Sequence, residues 1–382
     1  MKVRYTSDLG GFNIWGVRGR MSFLQSLLGG GSRELIGLDI SSSAVKLLEL
    51  ARRGERYSVE AYAVEPLPAN VVNDKQITDP KIVGEAIARA LNRSGTRTRN
   101  AAIAVAGASV ITKTISMPAS LKDNDMEDQI KAEADQYIPY SLDEVNLDFQ
   151  VIGVSGKDPT SVDVQLVACR KELIEQRIAA LEIAGLIPQV VDIEAYALEN
   201  ACPLLYHQMP DQGAGKTIAL VDLGASMTSL LVLHDRQPIY TREQAFGGRQ
   251  LTEDIMRFYG MSYEEAGRAK RFGGLPETYQ SEVLAGFITD LALQIDRALQ
   301  FFFSAASQHR SIDAMILAGG CAHIAGVDAA VQERLKLPTS VARPFAQMGV
   351  AARAKPSQLM QDEAAMLIAA GLALRAFDEV EA

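Results

Sequence analysis

The chain writes one short pattern twice, and that repeat limits its possible folds more than any other feature. GLDISSSAVKLLEL at 37–50 and LVDLGASMTSLLVL at 220–233 each run an apolar strand into an aspartate, Asp39 or Asp222. Each then turns through small hydroxyl, glycine or alanine residues and returns as a second apolar strand. A polar turn follows, RRGE at 52–55 and HDRQ at 234–237, and then a third extended run at 56–66 and at 238–245. After the first unit, Asp79-Pro80 opens a helix carrying Ile82, Ala86, Ile87, Ala90 and Leu91 at helical spacing, Gly95 closes it, and 101–106 reads as a buried strand. The second half repeats this order, with strands over 218–245, helices over 247–307 and a strand at 314–318 before Gly319-Gly320. A β-rich unit with crossover helices, written twice, predicts an α/β protein of two lobes with a mixed sheet in each. A length of 382 residues suits two lobes better than one core.

The turns carry the chemistry. Small residues let backbone N–H groups and hydroxyls approach a phosphate closely, and a carboxylate just before the turn can hold a hydrated Mg2+. Two such hairpins facing each other would clamp a nucleoside triphosphate. An ordinary Asp- and Ser-containing turn explains either hairpin alone; the repetition argues against that explanation.

Other classes are disfavoured. The formal net charge of -9 leaves no basic excess to neutralise nucleic-acid phosphates. Cys169, Cys202 and Cys321 lie too far apart for a zinc or disulfide framework and read as buried small hydrophobes, and the four histidines are scattered. No apolar run approaches the roughly 20 residues that span a bilayer. MKVRYTSDLGGFNIWGVRGR lacks the apolar stretch of a signal peptide, so residues 1–20 read as a disordered tail or as a start placed upstream of Met21. The apolar stretch 22–28, ending in Gly29-Gly30-Gly31, fits packing, flexibility or contact with a membrane surface. A cytoplasmic protein is expected.

Two segments interrupt the repeat. Residues 112–186 predict a small α+β subdomain, with strands at 113–117, 146–154 and 162–169 and helices at 124–137 and 171–184. Residues 247–307 predict a helical subdomain, including an amphipathic run at 281–304 whose Phe301-Phe302-Phe303 is expected in the core. The division is therefore 21–111 with 187–213 as the first lobe, 112–186 inserted in it, 214–246 with 308–382 as the second lobe, and 247–307 its helical part.

Five elements in order resemble the actin/heat-shock-protein-70 ATPase superfamily: the hairpin at 37–46, a connecting helix DIEAYALEN at 192–200, the hairpin at 222–229, LAGGCAHIAGV at 317–327, and AAMLIAAGLALR at 364–375, where Gly371 sits at a close helix contact. Within it the chain resembles the PilM family of type IV pilus inner-membrane assembly proteins, relatives of FtsA. The likeness runs from Met21 to about Phe377 and rests on the first hairpin, EADQYIPYSLDEVNLDFQV at 133–151, VVDIEAYALENA at 190–201, YTREQAFGGRQLTEDI at 240–255 and RALQFFFS at 297–304. It implies a two-lobed actin-like (ribonuclease H-like) ATPase fold binding ATP and Mg2+.

Carried onto this sequence, the resemblance makes Asp39 and Asp222 the Mg2+-side carboxylates, acting through water. Ser41, Ser42, Ser43 and Lys46 would line one side of the phosphates, and Gly224, Ala225, Ser226 and Thr228 the other. Gly247, Gly248, Lys270, Gly319 and Gly320 would hold ribose and adenine. The superfamily's glutamate three residues before the lysine is Gly267 here, with Glu264 a turn earlier as its substitute. Ser229 stands where members with turnover carry an aspartate, and Ser41 where a glycine is usual. Glu194 remains to orient water. Tight binding with slow or no hydrolysis is expected.

The resemblance implies a scaffold for pilus biogenesis and twitching motility. It would bind the cytoplasmic N-terminal peptide of PilN beside the inserted subdomain, and so lie peripherally at the inner membrane with other pilus assembly proteins. The acidic C-terminus at 377–382 lacks the amphipathic helix of FtsA-like proteins. A small-metabolite kinase and an FtsA-like filament protein are the alternatives, and self-association remains open. A chaperone would need a further domain after the closing helix.

Overall fold

The computed structural model describes residues 34–378 apart from 74, 157 and 307–310. The expectations for residues 1–20, Met21, 22–31 and the chain beyond 378 lie outside the described residues. The first half runs β1 (Ile36–Ile40), β2 (Ala44–Arg53), β3 (Arg56–Pro66), a short ribbon of β4 (Val72–Asn73) and β5 (Gln76–Ile77), α1 (Pro80–Ser94), β6 (Asn100–Val105), β7 (Val110–Pro118), α2 (Asp123–Glu133), β8 (Val145–Val154), β9 (Ser161–Arg170), α3 (Lys171–Ile183) and β10 (Ile187–Ile193). Helix α4 (Glu194–Ala201) leads to β11 (Thr217–Leu223), β12 (Thr228–His234), β13 (Gln237–Gln244), α5 (Gly248–Tyr259), α6 (Tyr263–Phe272), α7 (Ala285–Ala305), β14 (Ala314–Ala318), α8 (Val327–Leu335), β15 (Thr339–Val341), β16 (Gly349–Val350), α9 (Pro356–Asp362) and α10 (Leu367–Leu374).

The repeat in the sequence is a repeat in topology. One sheet has the order β10-β6-β1-β2-β3-β16, the other β15-β14-β11-β12-β13. In each, an antiparallel meander continues through two further strands laid parallel to its first member. Strands β1 and β14 are buried along their whole length, which is why they read as unbroken apolar runs. Local chemistry sets the ends of α1: the Asp79 carboxylate accepts from the Lys81 and Ile82 amides, Pro80 sits in the first turn, and Gly95 closes the helix at φ +68°.

Three placements differ from the sequence expectation. The separate three-stranded sheet, β7-β9-β8, ends at Arg170, and α3 packs instead in the first lobe's core through Leu173, Ile174, Ala180 and Leu181. Gly84 on α1 permits that approach, since a Cβ there would lie 2.7 Å from the Ile183 side chain. The segment from β16 to α10 returns to the first sheet: β16 pairs with β3, and Met366, Ala369, Ala370 and Ala373 pack among Leu48, Val59 and Tyr62. Of the three phenylalanines only Phe302 is buried; Phe301 lies under the Arg242 guanidinium, 3.8 Å from ring centre to carbon.

Helices α4 and α10 tie the lobes together. Leu198, Ala201, Ala364 and Leu367 belong to the second core, while Ala197, Ile368 and Leu372 pack with Ala102 of the first sheet. The two helices meet backbone to backbone: a Cβ on Gly371 would fall 1.7 Å from the Ala197 carbonyl oxygen, and one on Gly37 would fall 2.1 Å from that of Ala369. Gly371→Ala is therefore expected to cost at least about 3 kcal/mol in urea unfolding. Gly267→Ala, inside α6 with open space around it, should stabilise by about 0.5–1 kcal/mol. Equal effects would refute the close crossing.

Burial, reinforced by the Asp192 charge and opposed by Arg375, pushes the Glu199 carboxyl on α4 up to about 7. Because an unfolded glutamate titrates near 4.3, this group favours the fold fully below that pH, and the advantage is lost as pH rises through about 7. Glu199→Gln should match the parent in thermal melts at pH 4 and exceed it increasingly up to pH 7; a constant difference across that range would contradict the assignment.

Candidate functional site

The hairpin tips of both sheets and the start of α4 converge on one charged cluster. Register places Lys46 directly opposite Asp39 across β1 and β2, and Ser229 directly opposite Asp222 across β11 and β12. The Lys46 ammonium bonds Asp39 Oδ2 at 2.7 Å, with Asp39 only 3% exposed. Lys75 follows the β4 strand at φ +65° and bonds Glu194 Oε2, also at 2.7 Å. Arg177 on α3 is buried beneath it and donates to the carbonyls of Lys75 (2.7 Å), Ala104 (2.9 Å) and Leu173 (3.0 Å).

The charges of both lobes sense one another. Burial pushes the Asp222 carboxyl up to about 6; Lys46 and Lys75 pull it down, and Asp39 and Glu194 push it further up. Burial works against the charged form of Lys46, but Asp39 and, across the cleft, Asp222 outweigh it and hold the ammonium above its ordinary range. Asp39, Lys46, Lys75, Glu194 and Asp222 thus share one interior field. Among the described residues no group of three or more His, Cys, Asp or Glu side chains gathers as a metal cage.

The first turn is compact. The Ser41 amide and hydroxyl both donate to the Ala44 carbonyl, at 3.0 and 2.9 Å. Ser41 is absent from the described residues with positive φ, so a glycine's freedom is not needed there. Ser42 is buried and Ser43 exposed. In the second turn Gly224 N–H donates to the Met227 carbonyl at 3.0 Å, Thr228 Oγ1 donates to the Phe246 carbonyl at 2.9 Å, Ala225 accepts from the Arg249 amide, and the buried Ser226 hydroxyl has no protein partner.

A glycine cradle adjoins this turn. A Cβ on Gly247 would lie 2.5 Å from the Gly224 carbonyl oxygen, one on Gly248 would lie 2.5 Å from Cys321 Sγ, and one on Gly319 would lie 2.4 Å from the Leu223 carbonyl oxygen. Gly320 has open space around it. Lys270 Nζ reaches the same spot, donating to the Gly248 carbonyl at 2.8 Å and to Thr252 Oγ1 at 2.6 Å. The structure therefore brings Asp39, Lys46, Glu194 and Asp222 into one cluster and Gly224, Gly247, Gly248, Lys270 and Gly319 into a second beside it. Glu264 is exposed on α6, whose capping box uses its neighbour Glu265 with Ser262.

Sequence reasoning missed Lys75, Arg177 and Glu243. Lys75 sits in a turn without periodicity. Arg177 carried a signal, a charge on the apolar stripe of Leu173, Ile174, Ala180 and Leu181. Glu243 on β13 stands directly opposite Ser229, and its carboxylate reaches Gly107 of the first lobe, 2.9 Å from where a Cβ would be.

Two sheets of one topology, joined by two crossing helices above a cleft of paired aspartates, define an actin-like ATPase fold. The family model described as type IV pilus assembly protein PilM matches residues 37–377. A solved structure described as the PilM-PilN type IV pilus biogenesis complex is similar at 26% identity and a TM-score of 0.74, covering 92% of this chain and 100% of its counterpart. Looser similarities are to the ethanolamine utilization protein EutJ of Carboxydothermus hydrogenoformans (16% identity, TM-score 0.49, 89% of this chain and 88% of that one) and to MreB5 of Spiroplasma citri bound to AMPPNP (11%, 0.46, 89% and 95%). The chain belongs to the PilM family of type IV pilus assembly proteins.

Lys75→Met should leave the Glu194 carboxylate buried without its cation, at a cost of about 3–5 kcal/mol in chemical unfolding. Adding Glu194→Gln should recover about 1 kcal/mol or more of that loss. Strict additivity of the two changes would show that the pair does not interact.

Proposed function

We propose that the protein is an ATP-binding scaffold of type IV pilus biogenesis that takes the cytoplasmic N-terminal peptide of PilN and is thereby held at the inner membrane. The observation that carries the nucleotide reading is Lys46, bonded to Asp39 of one hairpin while sensing Asp222 of the other. The residues fit the ligand. The orphaned Ser226 hydroxyl and the two lysines offer donors to phosphate oxygens, and the cradle at Gly247, Gly248 and Gly319 leaves backbone bare beside open space at Gly320. Asp39 and Asp222 would hold Mg2+ through water, relieving the burial that raises Asp222. Ser41, Ser42 and Ser43 would complete one phosphate wall, Gly224, Ala225 and Thr228 the other, with Lys270 near the ribose.

ATP supplies phosphate charge that draws the two lobes onto one ligand. The chain's own residues then do little chemistry. Ser229 offers no carboxylate to place an attacking water, and Glu194 is occupied by Lys75, so turnover is slow or nil. No helix among the described residues is long and apolar enough to cross a membrane.

For the peptide, the reading points to the face of the β7-β9-β8 sheet turned away from α2, which carries polar side chains. Gln165 donates to the Tyr196 hydroxyl of α4 at 3.0 Å, and Thr114 and Gln150 flank Gln165 on the neighbouring strands. An extended peptide there would use main-chain hydrogen bonds for affinity. The similarity to a chain solved with PilN supports that partner.

Calorimetry with Mg-ATP and with a PilN-type N-terminal peptide tests both halves. Asp222→Ala should weaken ATP at least about tenfold. Tyr196→Ala should weaken the peptide several-fold while sparing ATP. Unchanged ATP affinity in Asp222→Ala would refute the nucleotide site, and absence of peptide binding in every nucleotide state would refute the scaffold.

A further inference from the structure

A contact between the lobes lies away from the helix crossing. Asp362 ends α9, on the first lobe's side, among residues that pack with β3. The buried Tyr62 of β3 donates its hydroxyl to Asp362 Oδ2 at 2.6 Å and so fixes the carboxylate. The other oxygen, Oδ1, accepts from Arg271 Nη2 at 3.0 Å, and Arg271 belongs to α6 of the second lobe. Both partners connect directly to the cradle. Arg271 follows Lys270, whose ammonium holds the Gly248 carbonyl and Thr252. Two residues beyond Asp362, the Ala364 carbonyl accepts the Gly319 amide at 2.7 Å.

We propose that Asp362 is a positioning residue for bound nucleotide: anchored by Tyr62, it clasps Arg271 and keeps the wall carrying Lys270 and Gly248 closed on the wall carrying Gly319. The inference rests on the nucleotide reading of the cleft. Arg271 is 45% exposed, so the ion pair by itself is worth little in a solvent-screened setting. Its consequence comes from place. Moving α5 and α6 away from the turn after β14 requires this contact to break, whereas the backbone crossing of α4 and α10 stays in place. The contact therefore acts on how fast ligand leaves rather than on whether the chain folds.

The test is stopped-flow release of N-methylanthraniloyl-ATP, preloaded with Mg2+ on the full chain and chased with ATP. Asp362→Asn should release it about fivefold faster, and Tyr62→Phe about threefold faster. The double variant should go no faster than Asp362→Asn alone, because both changes act on one carboxylate. Tyr62→Phe keeps the buried ring and guards against a folding defect. Arg353→Gln, which breaks the Arg353–Glu60 pair on the first lobe, should release at the parent rate. If the parent binds the probe but Asp362→Asn and Tyr62→Phe release it unchanged, or Arg353→Gln accelerates release as much, the clasp is overturned and the nucleotide reading stands. If the parent takes up no probe, the nucleotide reading fails and the clasp fails with it.

Discussion

Everything in this fold hangs on one contact that contains no side chain: the backbone of α10 lying against the backbone of α4. Two glycines make it possible. Gly371 lets α10 touch the Ala197 carbonyl, and Gly37 lets β1 receive α10 from beneath. A crossing at that distance transmits orientation without slack, because close-packed backbone has no side chain to rearrange. The two cores, each centred on its own sheet, are thereby held to a common axis, with the hairpin tips of both facing the same cleft.

That axis explains why the cleft can be so charged. Asp39, Lys46, Lys75, Glu194 and Asp222 would be costly to collect in an interior unless opposite signs alternate at bonding distance. Asp39–Lys46 and Glu194–Lys75 do so within the first lobe, both at 2.7 Å. Asp222 comes from the second lobe facing Ser229 rather than a lysine, and burial pushes its carboxyl up to about 6. The asymmetry between the two copies of the repeat, lysine in one and serine in the other, puts the lysines on one side of the cleft and Asp222 on the other.

Much of the fold was legible because its signals are local. The doubled hairpin announced two sheets of equal topology, Asp79-Pro80 and Gly95 marked the ends of α1, and LAGGCA marked the glycine turn after β14. Assignment of α3 and of the last segment failed for one reason: an apolar stripe shows that a helix is buried without showing which neighbour buries it. Gly84, where α3 comes close, was the place to look, while Gly371 was already legible as a close helix contact. In the site, Asp39 and Asp222 could be read because the doubled hairpin repeats them, and Lys46 because of the family resemblance. Lys75 could not, because its place depends on Arg177 and Glu194, 102 and 119 residues away, holding the carbonyl and the ammonium of a turn that has no pattern of its own.

The second hairpin shows how far a repeat can diverge while keeping its frame. Its register is intact from Thr217 opposite His234 to Leu223 opposite Thr228, yet the residue opposite its aspartate has lost charge. On the next strand Glu243 faces that same Ser229 and reaches over to Gly107 of the first lobe. This carboxylate contacts the opposite wall of the cleft. It adds a contact between the lobes beside the hairpin tips.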